Sequence, residues 1–293
     1  MHLKKAIQIY LEWKTLHKTS TYQPYRNRLM KFAEFIGNKS LESVTGDDIV
    51  RFHKQMKTHY SDATIDYSAR ILKSFFRFYK GRNLTTLNPD EIESVKFINP
   101  DKEIVTKEDF EDMDDLLDKR YRDDLVKKLV INMLWDTGVR VSELLDIALG
   151  AIEKNDVDGL RYAKVRTRKS MRYNFVVWSK RTDELLKDYL AMRLCLEDVQ
   201  SDKLLINPKT KKPYTPKTIQ RWIKELSQMA ILNKNITPHS FRHGKAHYIL
   251  DQGGSVRDVA VMLRHVNPQS SFNYLQLSPT RYLETAGKYL TTA

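Results

Sequence analysis

The sequence predicts a mainly α-helical protein, with an N-terminal four-helix domain followed by a larger α-rich domain that carries a small antiparallel β-hairpin or sheet. Three observations predict it. Apolar residues recur at helical spacing through most of the 293 residues. Only the stretch 160–178, "LRYAKVRTRKSMRYNFVVW", alternates and is rich in β-branched and aromatic residues at its ends. Between the two helical regions lies "NPDEIESVKFINPDKEIV", bracketed by Pro89 and Pro100, which reads as an exposed connector. Residues 1–97 therefore form one domain, 98–104 a linker and 105–293 a second domain.

Each element has its own signal. Leu3, Ile7, Tyr10 and Leu11 make the stripe of a first helix, and Tyr22, Tyr25, Leu29, Phe32 and Ile36 that of a second. Thr45 with Asp48 three residues on has capping-box spacing ahead of a third helix with Ile49, Phe52 and Met56. Ser61 can cap a fourth that carries Ile65, Ile71, Leu72, Phe75 and Phe76. The second domain opens on another cap pair, Thr106 and Asp109. Leu125, Val126, Leu129, Val130, Met133 and Leu134 form a strong stripe that Gly138 ends, and helix resumes with Val141, Leu144 and Leu145. After the hairpin, whose tip is cationic, residues 183–197 return to helix. Thr215 and Pro216 mark a further helix start, and the rest is helical with breaks at Gly253-Gly254 and Asn267-Pro268.

Composition narrows the function. Lys+Arg 50 against Asp+Glu 37 gives a net charge of +13. Residues 1–100 contribute +7 and the remainder +6, so the excess is spread along the chain and is not a basic tail. That is the footprint of a protein that touches nucleic acid over much of its surface. No apolar run is long enough to span a membrane. The single cysteine, Cys195, needs no oxidising compartment, and a cytoplasmic location is expected.

Four short stretches carry chemistry. "TPHSFRHG", residues 237–244, puts His239 and Arg242 in the first turn of a helix that begins Thr237-Pro238. They are three apart, so they share a face, and a helix N-terminus with an arginine beside it suits a phosphate oxygen. Both side chains could equally pair with acidic neighbours. "TGVRVSELL" places Arg140 in a turn between two apolar helices, a costly position for a charge without an anionic partner. Glu143 could be that partner, or could orient the guanidinium. "LRHVNPQSSFNYLQ" sets His265 nine residues before Tyr274. The cationic hairpin could be no more than a solvated turn.

In this order and spacing, Arg140, "HSFRH", "LRH" and a tyrosine nine residues later resemble the tyrosine recombinase family, the phage-integrase and Xer-like enzymes. The resemblance covers nearly the whole chain, because residues 1–97 also look like that family's core-binding domain. It implies that Arg140, His239, Arg242, His265 and Tyr274 fill the active site. The family's hairpin lysine falls on Lys169 when aligned back from "ELLKDYL", on Lys164 when counted forward from Arg140, or is replaced by Arg166; Lys169 lies at the tip and is favoured. Two departures stand out. The family usually has Leu-Gly-His where this chain has Leu263-Arg264-His265, so that Arg264 adds a phosphate contact or is merely solvated. The proline common after the hairpin is Val176 or Val177 here.

The implied chemistry is attack of the Tyr274 phenol on a phosphodiester, giving a 3′-phosphotyrosyl link without metal, cofactor or ATP. Arg140 and Arg242 would clamp the non-bridging oxygens. His239 would help remove the tyrosine proton, His265 would hold the phosphate, and Lys169 would protonate the leaving 5′ oxygen. The implied partners are double-stranded DNA at specific sites and three further copies of the chain, as a tetramer on two paired sites. Two other readings stay open: a type IB topoisomerase-like relaxase, and a DNA-binding architectural protein with a degenerate site. All six chemical positions are filled, which argues against decay. The segment "SPTRYLETAGKYLTTA", with Ser278 as cap and Tyr282, Leu283, Ala286 and Leu290 on one face, docks on a neighbouring subunit or on its own domain.

Overall fold

A computed structural model describes residues 1–17, 22–37, 39–97, 102–154, 161–167 and 172–264. The chain divides into two compact units, Met1–Asp101 and Lys102–Ala293, each with its own apolar core. Among the described residues no helix is long and apolar enough to cross a membrane.

The first unit holds four helices: α1 (Leu3–His17), α2 (Tyr22–Phe35), α3 (Gly46–Lys57) and α4 (Asp62–Lys80). The stripes read from the sequence meet in its centre, where Leu3, Tyr10, Leu29, Phe32, Leu72, Phe75 and Phe76 are fully buried. Edge-to-face ring contacts organise that centre, Tyr10 on Phe75 at 5.3 Å and Phe32 on Phe52 at 5.2 Å. The tyrosine hydroxyls are not wasted in this apolar setting: Tyr10 pairs with Ser74 Oγ at 2.8 Å, and Tyr79 donates to the Ala6 carbonyl at 2.7 Å. The Thr45–Asp48 capping box is present at the start of α3. Ser61 precedes α4 as expected, yet its hydroxyl meets Thr64 Oγ1 and caps no backbone N–H.

The connector departs from the sequence reading. It is not simply exposed: Pro89 and Ile92 are buried, and Ile92 belongs to the core of the first unit. Asp90 beside them is held by Arg77 at 2.8 Å and Lys73 at 3.3 Å from α4. At the other end Val105 is fully buried in the second unit. Prolines and acidic residues look like loop composition, but the few apolar side chains among them decide the packing.

The second unit contains α5 (Lys107–Asp115), α6 (Arg122–Thr137), α7 (Val141–Asp146), α8 (Lys180–Leu194), α9 (Pro216–Met229), α10 (Pro238–Asp251) and α11 (Val256–Met262). Between α7 and α8 lies a three-stranded antiparallel sheet in the order β1 (Ile152–Lys154), β2 (Arg161–Thr167), β3 (Arg172–Val177). The hairpin is β2–β3, with Lys164 opposite Phe175 and Arg166 opposite Tyr173, and β1 pairs with β2 to widen it into a small sheet. Ala163, Val165 and Val176 face the core, while Lys164, Arg166, Tyr173 and Phe175 face outward. Helix α8 starts three residues before the predicted 183, because Ser179 caps it by accepting from Thr182 N at 3.3 Å. The hairpin tip with Lys169, and everything from His265 onward, including Tyr274 and the last helix stripe, lie outside the described residues.

Candidate active site

The site is built around the turn that ends α6. Gly138 adopts φ +55°, ψ +25°, a left-handed conformation that stops the helix. A β-carbon at Gly138 would also overlap the Leu263 side chain, so glycine is required there twice over. Two residues on, Arg140 is the N-cap of α7. Its backbone N–H donates to Glu143 Oε2 at 3.3 Å, and its Nη1 to Glu143 Oε1 at 2.8 Å. Glu143 is 2 % exposed, whereas about a third of the Arg140 side chain (32 %) reaches solvent. The carboxylate therefore holds the guanidinium from below while its outer N–H groups stay accessible to an anion.

Helix α10 brings the second set. Pro238 is its first residue, and the Ser240 hydroxyl accepts from Thr237 N at 3.1 Å. Phe241 is fully buried in the large core and anchors the first turn. The Ser240 carbonyl accepts from Val105 N at 3.2 Å, and a β-carbon on Gly244 would overlap the Val105 backbone. The glycine in "HSFRHG" is thus the point where the chain entering the second unit passes against α10.

His239 and Arg242 share a face but not an environment. His239 is exposed. Arg242 is 4 % exposed, and its Nη1 donates to the Gly138 carbonyl at 2.7 Å and its Nη2 to the Leu263 carbonyl at 2.5 Å. A buried guanidinium without partners costs several kcal/mol, and hydrogen bonds to a charged group return about 1.5–3 kcal/mol each. The Arg242 side chain is thereby fixed against the turn that carries Arg140, 104 residues away in sequence.

Arg264 stands at the end of α11 with a left-handed φ of +55°. It is not solvated: it is 9 % exposed, and its Nη1 donates to the Thr137 carbonyl at 3.1 Å and the Met262 carbonyl at 2.8 Å. Arg242 on α10 and Arg264 just past α11 so take the consecutive carbonyls of Thr137 and Gly138, and those of Met262 and Leu263.

The electrostatics of this corner are one-sided. Partial burial, then Arg242, Arg140 and Lys102, hold the His239 pKa below its ordinary 6.5. Burial and then Lys102, with smaller repulsions from His239, Arg242 and His247, push His243 down to about 4. Burial lowers Arg264 to about 10, opposed by Glu143 and aided by Arg140. Among the described residues Glu143 is the acidic group that acts on Arg140 and Arg264. His239 is neutral at pH 7 and able to accept a proton, in a field that favours an anion nearby.

Of the six residues expected in the site, the structure brings Arg140, His239 and Arg242 to one corner. Lys169, His265 and Tyr274 are not described. The alternative hairpin residue Lys164 is engaged with Glu153 at 3.0 Å. Lys102 and His243 join the corner without having been singled out; Lys102 carried no signal, since only tertiary packing brings it beside α10. Among the described residues no three His, Cys, Asp or Glu side chains gather in a way that could hold a metal ion.

Comparison with known proteins agrees with this geometry. Residues 104–281 match the phage integrase family, and residues 3–86 match the phage integrase N-terminal SAM-like domain. Tyrosine recombinase XerC of Staphylococcus carnosus (strain TM300) is 26 % identical over 278 residues, covering 85 % of this chain and 90 % of that protein. Among solved structures, the XerH site-specific recombinase bound to a palindromic difH substrate superposes with a TM-score of 0.77 at 20 % identity, covering 90 % of this chain and 78 % of that one. A lambda integrase tetramer bound to a Holliday junction gives 0.73 at 16 % identity, with 92 % and 78 % covered. The fold, the cationic corner and a family match over more than half its length place one conclusion beyond the resemblance first read from the motifs: this chain belongs to the phage integrase family of tyrosine recombinases.

Proposed function

We propose that the protein is a site-specific DNA recombinase that cuts and rejoins strands through a 3′-phosphotyrosyl intermediate on Tyr274. The observation that carries this reading is the cationic corner: Arg140 braced by Glu143, Arg242 braced by two carbonyls, and a neutral His239 beside them. Such an arrangement suits a phosphodiester passing through a crowded anionic transition state, where prepositioned donors contribute most.

In the proposed step the Tyr274 phenol oxygen bonds to phosphorus and the P–O5′ bond breaks. The phenolic proton passes to His239, Lys169 supplies a proton to the departing 5′ oxygen, and His265 holds a non-bridging oxygen. A 5′ hydroxyl from a second strand then attacks the phosphotyrosine and releases Tyr274. Bonds broken and formed are equivalent, so neither ATP nor a metal is required. Residues 1–97 serve as the core-binding domain, 98–104 as linker and 105–293 as the catalytic domain. A homotetramer on two paired sites completes the exchange. The basic groove of about 530 Å³ lined by Arg26, Arg28, Lys31 and Tyr67 offers phosphate contacts in the first unit.

A nicked DNA substrate tests this directly. Covalent protein–DNA adduct should accumulate with the native chain and be absent with Tyr274→Phe, while DNA affinity stays near normal. Adduct persisting in that variant would move the nucleophile elsewhere, and its absence in the native chain would favour an architectural DNA-binding role.

A further inference from the structure

Arg264 is a poor choice for its position unless its side chain has a task. Its backbone sits at φ +55°, where a substituted residue is strained and glycine is not. Its guanidinium is nine-tenths buried, and only Nη1 is engaged, with the Thr137 and Met262 carbonyls. Among the described residues Nε and Nη2, both buried, meet no acceptor. These two are not arbitrary atoms: Nε–H and Nη2–H point the same way and form the side-on fork of arginine, which matches two oxygens of one phosphate. Glu143, the carboxylate that faces the corner, is already taken by Arg140. Through Thr137 the fork is tied to the same turn that orients Arg140 and receives Arg242.

We infer that Arg264 is a third phosphate-binding arginine of the site, its Nε–H and Nη2–H donating to a non-bridging oxygen of the scissile phosphodiester. This rests on the recombinase reading above. It extends that reading by a residue where the family usually carries glycine. The fork is closed to water in the free protein, so DNA must open the corner as the phosphate enters, and the anion then meets donors that need no reorientation. The bond is formed to the transferring phosphate and strengthens as charge develops on its oxygens.

The test pairs Arg264→Gln with substrates that carry either a normal phosphate or a methylphosphonate at the cleavage position. On the normal nicked substrate the variant should form adduct about 10²-fold more slowly than the native chain. On the methylphosphonate diastereomer that lacks the gripped oxygen, variant and native chain should react at equal rates. Arg264→Gly, which also relieves the left-handed backbone, is read in the same way if the glutamine variant does not fold. An unchanged rate on the normal substrate overturns the proposal. So does an equal loss on all substrates, which marks a purely structural role, and so does disappearance of the loss in a Glu143→Gln background, which makes Glu143 the partner. A native chain that forms no adduct on the normal substrate fails the recombinase reading itself, and the proposal falls with it.

Discussion

Charged side chains are buried in both units, and the two sets are answered differently. Among the described residues of the first unit the buried charges are Asp48 and Asp66. Asp48 accepts from Thr45 N at 3.0 Å, Lys39 at 2.8 Å and Arg51 at 2.5 Å, and its pKa is lowered to about 2 because these bonds overcome the opposing effect of burial. Asp66 is met by Arg70 at 3.0 Å. The second unit has three buried carboxylates of the same kind among its described residues: Asp109 met by Lys234, Glu143 met by Arg140, and Asp114, fully buried among Lys128, Arg181 and Asn132. Among the described residues its buried arginines, Arg193, Arg242 and Arg264, differ in that each donates to backbone carbonyl oxygens, which stabilise the geometry. Where burial serves the fold, opposite charges are supplied within the chain. Arg242 and Arg264 also lean on the carbonyl dipoles of the Thr137–Gly138 turn and of Met262 and Leu263, which fix where the guanidinium groups sit.

That contrast can be broken experimentally, and the largest effect should come from Arg242→Ala. Adduct formation on nicked DNA should fall by about 10²-fold or more, and the two abandoned carbonyls should lower thermal stability as well. A kinetically silent Arg242→Ala would remove this arginine from the phosphate clamp. Gly244→Ala should destabilise by about 3 kcal/mol, because a β-carbon cannot coexist with the Val105 backbone and the helix must shift. Denaturant unfolding measures it, and an unchanged midpoint would mean that α10 and Val105 separate at little cost. Asp48→Ala should cost about 1–3 kcal/mol through the lost cap and the cations left without a partner. The cleavage rate of the folded fraction should not change, and a loss there would show that the first unit's buried charge is not purely structural.

The smallest expected effect is a dependence on pH shared by both units. His53 in α3, lowered by burial and then by Arg28, and His243 in α10 both have pKa values of about 4 against an ordinary 6.5. Folded, they stay neutral; unfolded, they take up a proton as the pH falls below 6.5. Stability should therefore decline between pH 6.5 and 4, with the carboxylate losses following only below about 4. Thermal melts at pH 7 and 4.5 check this, and His53→Phe should reduce the slope. A flat profile over that window would mean that both imidazoles are solvated.

How much of this was legible follows from the range of each interaction. The boxes Thr45–Asp48 and Thr106–Asp109 are spelled by residues three apart, and both formed. The alternation of β2 and β3 was readable because six paired positions repeat it, whereas β1 has three residues, too few to show a period. Arg140 and Glu143 were legible as a pair because one turn of chain joins them. The burial of Arg242 and Arg264 was not. Both had been placed by motif, but their depth depends on a turn more than a hundred residues upstream. The connector misled for the same reason, since Ile92 and Val105 find their cores by tertiary contact.

The distance between donors and acceptors at the Thr137–Gly138 turn also bears on synthesis. Arg242 and Arg264 lie 104 and 127 residues downstream of the carbonyls they hold. A nascent chain that has emerged through α6 and α7 has Arg140 and its partner Glu143 but neither of the arginines that hold the carbonyls of the turn. Loop closure over such separations is slow relative to local helix formation, so this corner is among the last parts of the unit to set. A ribosome that stalls before codon 264 releases a fragment with basic, DNA-attracting surface and an unfinished cutting site. The corner that gathers the arginines is thus completed only once Arg264 has been added, an order fixed by the chain itself.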